Sequence, residues 1–258
     1  MAQHLKLERR NGIALIVLDR PERRNAVTLD MWREIPVMIG TLEQEPGVRG
    51  IVLTGAGKHF CAGADISEVD VVRGDARQAA SYEEAVDRCC DALFATPKPT
   101  IAALRGACMG GACNLAMACD FRFAAPGALF GIPAARLSIV YGVKGTQRLL
   151  TLVGLPNAKR IFFTAEPVDA EEAFRIGLVD RVVADPLEEA LGFLSRIAAN
   201  APLTIAGAKR LLNGMATTLG GLDPEVARTI IRCAVESEDY RESVRAFGEK
   251  RAPVFQGR

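Results

Sequence analysis

Two glycine-containing stretches, Leu53-Thr-Gly-Ala-Gly-Lys-His-Phe-Cys-Ala-Gly-Ala-Asp-Ile66 and Arg105-Gly-Ala-Cys-Met-Gly-Gly-Ala-Cys-Asn-Leu-Ala-Met-Ala-Cys-Asp120, decide how this chain is read. Each follows a short apolar run of strand type, Gly50-Ile-Val-Leu-Thr54 and Thr100-Ile-Ala-Ala-Leu-Arg105. In the second, the chain passes through Gly110-Gly111 into a helical pattern. The first amides of a helix have no internal acceptor and carry the positive end of its dipole. Glycine lets a ligand approach that backbone. A strand–glycine–helix junction is therefore a place to hold an oxygen that gains negative charge during a reaction. Taken alone, it is also an ordinary tight junction.

Outward from these stretches, Gly12-Ile-Ala-Leu-Ile-Val-Leu-Asp19 and Asp120-Phe-Arg-Phe-Ala124 read as further strands, apolar on both faces as in a sheet covered by other layers. Helices are expected over Thr28–Glu45 and Ser81–Thr96, the latter stopped by Pro97 and Pro99. Asp169-Ala-Glu-Glu172 reads as a helix start with an acidic residue three places on, and Gly177 as that helix's end. Leu178–Val183 reads as one more strand. Pro186–Asn200, Pro202–Thr218 and Asp223–Phe247 read as three terminal helices. The expected organisation is an α/β core over residues 1–195 followed by a helical region over 196–258.

The 258 residues carry a formal net charge of +1, which gives no field for nucleic acid and no basic face for a membrane surface. Met1 to Arg10 is polar where a signal peptide needs an apolar stretch, so a cytoplasmic location is expected. Seven cysteines without a CxxC pair, and two histidines, indicate neither a disulfide frame nor a metal site.

Together, the two stretches, Arg20-Pro-Glu-Arg-Arg-Asn-Ala26, Gly145-Thr-Gln-Arg-Leu149 and Glu249-Lys-Arg-Ala-Pro-Val-Phe255 resemble the enoyl-CoA hydratase/isomerase (crotonase) superfamily over essentially the whole chain. The resemblance implies a spiral of ββα repeats with a C-terminal helical trimerisation region, assembling as a trimer or a dimer of trimers. It implies an acyl-CoA thioester as ligand, with CoA belonging to the substrate and no separate cofactor. The thioester oxygen is then expected on the amides of Ala64 and Gly111. Arg23, Arg24 and Ala26 are expected around the CoA phosphates and adenine, and Ala62, Asp65 and Ile66 along the adenine. Phe247 and Lys250 are expected to reach CoA from a neighbouring subunit.

The sequence departs from the family at the acid/base positions. A hydratase of this type uses two glutamates, one to activate water and one to protonate the α-carbon. The matching positions here are Asn114 and Ala134, and a third position used by other members is Gly142. An amide orients a water but takes no proton near neutral pH, so hydration by the usual route is in doubt. Tyr141 matches a tyrosine of the decarboxylase branch acting on methylmalonyl-CoA, and with Arg136 it could orient a departing carboxylate. Three readings stay open: a hydratase/isomerase-type enzyme with altered acid/base groups, a decarboxylase using Tyr141, and a non-catalytic acyl-CoA carrier. Glu68, Glu83, Glu84 and Asp87 are the nearest carboxylates in sequence that could enter the acyl pocket. Cys113 lies beside the expected amides with no histidine near in sequence, and Asp120 reads as structural.

Overall fold

The computed structural model describes residues 4–68, 76–137, 140–217, 223, 225, 226, 229, 233, 236–249 and 251–258. The chain opens on a hairpin, β1 Leu5–Arg10 and β2 Ile13–Leu18, turned at Asn11-Gly12 with both residues at positive φ. It continues through α1 Leu29–Glu43, β3 Gly50–Gly55, α2 Ala76–Ala95, β4 Thr100–Leu104 and β5 Ala107–Met109. Then come α3 Gly111–Ala118, β6 Phe121–Ala124 and β7 Leu129–Gly131. Next are α4 Val143–Thr164, broken at Gly154, and then β8 Val168–Asp169, α5 Ala170–Arg175 and β9 Arg181–Val182. Three helices close the chain: α6 Pro186–Ala198, α7 Pro202–Thr217 and α8 Glu238–Glu249.

One sheet runs β1-β2-β3-β4-β6-β9, parallel except for the β1–β2 pair, and a second runs β5-β7-β8. The period-2 pattern of the strands sends alternate side chains to two separate cores. Ala14, Ile16, Leu18, Ile51 and Leu53 join the larger core under α1, α2 and α3. Ile13, Leu15, Val52, Ile101 and Phe123 face the other way, onto Ala190 and Leu194 of α6. That second cover is why these strands are apolar throughout. At Gly50 a Cβ would fall 2.9 Å from the Leu194 side chain, so the small residue sets how closely α6 lies on the sheet.

The N-caps follow the sequence. Thr28 accepts from Met31 N at the start of α1, Asp169 from Glu172 N at α5, and Asp185 from Leu187 N and Glu188 N at α6. Two expectations change. Leu178–Val183 shortens to the two-residue β9, because Leu178 and Val179 bond back to the carbonyl of Ala173. The single helix expected over Asp223–Phe247 is interrupted by a turn and bend at Glu236-Ser237, where the Ser237 hydroxyl accepts from Tyr240 N and caps α8; much of 223–235 lies outside the described residues. No described helix is long and apolar enough to cross a membrane.

Candidate active site: two amides at one cavity

The two glycine stretches meet in space. Cys61 pairs with Cys108 in an isolated parallel bridge, which lays the first stretch alongside β5. A second bridge, Val27 with Ala64, is made by Val27 N donating to Gly63 O and Asp65 N donating to Val27 O, both at about 2.8–2.9 Å. These bonds use the groups on either side of Ala64 and leave its own N–H out of the ladder. Gly111 is the first residue of α3, so its N–H is one of the orphan donors of a helix start. A Cβ on Gly111 would lie 3.8 Å from Ala64 N, which places the two amides side by side. Among the described residues neither amide has an acceptor.

The backbone around Gly110 is held from several sides. Gly110 has φ 54° and ψ −119°, a conformation closed to residues with a side chain. Its N–H donates to Gly131 O at 2.7 Å, tying it to β7. Its carbonyl accepts from Cys113 N at 3.0 Å and from the Tyr141 hydroxyl at 3.1 Å. A Cβ on Gly145 would come within 2.6 Å of the Tyr141 ring, so Gly145 makes room for the tyrosine that pins Gly110. Burial, and then the nearby Cys113, Cys90, Cys108 and Glu83, push the Tyr141 phenol well above its ordinary pKa. It is a neutral donor at physiological pH.

The amides open on a cavity of about 210 Å³ lined by Trp32, Ala62, Gly63, Ala64, Asp65, Tyr82, Glu83, Val86, Asp87, Gly110, Gly111, Asn114, Ile132, Pro133, Ala134, Leu137, Val140, Tyr141 and Gly142. Larger hollows, one of about 550 Å³ between α2 and α7, are more open and have no such amide pair. The Trp32 indole N–H donates to the Tyr82 hydroxyl at 2.9 Å, clamping α1 to α2 at the cavity wall.

Ala64, Gly111, Asn114, Ala134 and Tyr141 thus come together at one cavity, with Ala62 and Asp65 beside them. Asn114 is buried, and its Oδ1 accepts from Arg148 Nη1 at 3.1 Å; Arg148, also buried, pairs with Asp91 at 2.7 Å and lies over the Phe94 ring. The amide at 114 is therefore anchored by a cation from α4. Asp65 is fully engaged. Its carboxylate accepts from Arg20 at 2.6 Å and from Ser67, and its N–H is spent on Val27. Burial acts to raise its pKa, but the Ser67 hydrogen bonds and Arg20 outweigh it and hold the carboxyl below its usual range. Asp65 builds the turn. Arg23 and Arg24 sit exposed on the turn after Arg20, with Ala26 half-buried behind them and its carbonyl taken by Arg20 Nη1. The side chains of Ile66 and Phe247, and all of Lys250, lie outside the described residues.

Of the four candidate carboxylates, two reach the cavity. Glu83 and Asp87 line it. Glu84 faces solvent against Arg88, and Glu68 accepts from Leu29 N at the start of α1. Arg136 is exposed and lines no part of the cavity. The Cys113 thiol donates backward to Cys108 O at 3.0 Å, away from the lining. Asp120 accepts from Thr100 N, the Thr100 hydroxyl and Lys209 Nζ, locking α7 to the core. The sequence reading missed Trp32 and Arg148. Arg148 was legible as part of Gly145–Leu149, but nothing local says that it meets Asn114.

An α/β core thus brings two unspent amides together at one glycine-lined cavity. The chain matches the model of the enoyl-CoA hydratase/isomerase family over residues 8–258 and belongs to that family, with the α/β crotonase fold. It is 37% identical to the short-chain-enoyl-CoA hydratase of Clostridium acetobutylicum over 95% of this chain and 94% of that protein. It is 37% identical to the crotonyl-CoA hydratase of Syntrophomonas wolfei over 98% of each. The crystal structure of an enoyl-CoA hydratase from Bacillus anthracis superposes with a TM-score of 0.89 at 31% identity, covering 99% of this chain and 100% of that one.

Proposed function

We propose that this protein binds a short acyl-CoA thioester, places the thioester oxygen on the N–H groups of Ala64 and Gly111, and stabilises the enolate that forms there. The observation that carries the reading is the adjacent, unspent amide pair opening on one cavity. A carbonyl oxygen gains charge as its neighbouring carbons lose or gain a proton, and fixed donors at that point lower the barrier. The small cavity, walled by Trp32, Tyr82 and Tyr141, fits a short acyl chain better than a long one. The exposure of Arg23 and Arg24 on their turn supports a role for them in meeting the CoA phosphates.

Hydration is the reaction we put first, since the relatives that match over nearly their whole length are named for it. The decarboxylase reading requires the Tyr141 hydroxyl at the acyl group, and that hydroxyl is engaged by Gly110 O. The test is Gly111→Pro against Gly111→Ala. Both put a Cβ about 3.2 Å from Trp32, but only proline removes the amide, and proline is tolerated at the first position of a helix. The proline variant should lose roughly 100- to 1,000-fold in crotonyl-CoA turnover relative to the alanine variant. If calorimetry shows no acyl-CoA binding by the wild type, the reading fails.

A further inference from the structure

Positions 83 and 87 are four apart on α2 and share one face of the helix, and that face is the cavity wall. The outward acid next door, Glu84, is paired with Arg88 in solvent. Across the cavity stands Gly142, the residue before α4. A Cβ built there would lie 4.0 Å from Glu83 Oε2 and 4.0 Å from Asp87 Oδ1. Both carboxylate oxygens therefore converge on a point that the missing side chain leaves open, in the same cavity as the Ala64 and Gly111 amides.

We infer that Glu83 and Asp87 are the proton-carrying pair of this site, entering from α2 in place of the carboxylates absent at Asn114, Ala134 and Gly142. The inference rests on the proposed acyl-CoA reaction. One carboxylate takes a proton from water as the water oxygen bonds to Cβ of the enoyl group. The Cα=Cβ electron pair moves into the thioester, whose oxygen becomes the enolate held by the two amides. The other group, as the carboxylic acid, gives its proton to Cα, and the enolate pair forms the new C–H bond. One water has then been added, and the pair is reset by a proton passing between the two through the opening at Gly142. Lys144 of α4, ion-paired with Asp91 of α2, faces Asp87, and Glu83 lies near the neutral Tyr141 phenol.

The experiment measures crotonyl-CoA binding by calorimetry and its hydration rate for wild type, Glu83→Gln, Asp87→Asn and the outward control Glu84→Gln. Each of the first two variants should lose about 100- to 10,000-fold in kcat while binding within roughly 3-fold of wild type, as expected when only the transition state loses an interaction. Glu84→Gln should match wild type. An active wild type whose two variants keep full kcat overturns the pair and leaves the proposed function standing. Binding without any hydration by the wild type also overturns the pair. Absence of binding overturns the proposed function itself.

Discussion

Tyr141 separates two accounts of the site at the level of single atoms. Its hydroxyl donates to Gly110 O, which also accepts from Cys113 N. Tyr141→Phe therefore leaves that carbonyl with one donor rather than none, and the loss of stability should be about 1 kcal/mol. If the tyrosine only positions the Gly110–Gly111 backbone, kcat should fall by about tenfold or less with KM unchanged, corresponding to roughly 1.4 kcal/mol. If it were the acid of the reaction, the fall should reach about 100-fold or more. Steady-state kinetics of the phenylalanine variant, with a thermal melt beside it, distinguishes the two. Burial and the surrounding thiols and carboxylate keep the phenol neutral, so no limb of the pH–rate profile near neutrality belongs to Tyr141.

Among the elements, α1 carries a proline in its interior. Pro36 lies inside Leu29–Glu43, where it has no N–H for the carbonyl of Trp32 one turn back. Pro36 is half-buried on a helix whose apolar face is otherwise Met31, Trp32, Ile35, Met38, Ile39 and Leu42. Pro36→Ala should raise the unfolding free energy by about 1–3 kcal/mol, read from denaturant titration. An unchanged midpoint would mean that tertiary packing sets the helix conformation regardless of residue 36. The long elements were readable from sequence, because α1, α2, α6 and α7 repeat their apolar residues at helical spacing; α1 and α6 also start at the caps Thr28 and Asp185, whereas α2, expected from Ser81, begins at Ala76. The short ones were not. Strand β1, Leu5-Lys-Leu-Glu-Arg-Arg10, is an edge strand with one face in water, so its polarity hides it. Strands β5, β7 and β8 have two or three residues, too few for any period to show. The amide pair was legible because glycine marks it. Glu83 and Asp87 were visible only as candidates, since i, i+4 acids on a helix look the same whether they face solvent or a cavity. Which way α2 turns is decided by contacts with α1, and those are distant in sequence.

For the whole molecule, the surface leaves apolar residues uncovered on several neighbouring elements. Leu212 and Met215 on α7 are 65% and 61% exposed, and Val143 and Phe163 on α4 are 82% and 75% exposed. Burying such positions in a subunit contact contributes about 25 cal/mol per Å², and closed rings of identical subunits are the usual outcome. We expect a trimer or a dimer of trimers, with the 196–258 region forming much of the contact. Sedimentation velocity at micromolar concentration checks this, and a 27.7 kDa monomer would refute it. Leu212→Glu should shift the distribution toward the monomer without altering the fold of an isolated subunit, because the position is exposed there.

The side-by-side amides of Ala64 and Gly111 have one more consequence. Nearly every other amide around them is committed: Gly110 to Gly131 O, Asp65 to Val27 O, Cys113 to Gly110 O, Cys61 to Ala107 O. In heavy water the resting protein should therefore take up deuterium early at these two points, as bright spots beside amides that are largely dark to exchange. An occupant whose oxygen sits between them would extinguish both together. The pair is thus a built-in reporter: it records occupancy of the site without a dye, a label or a turnover.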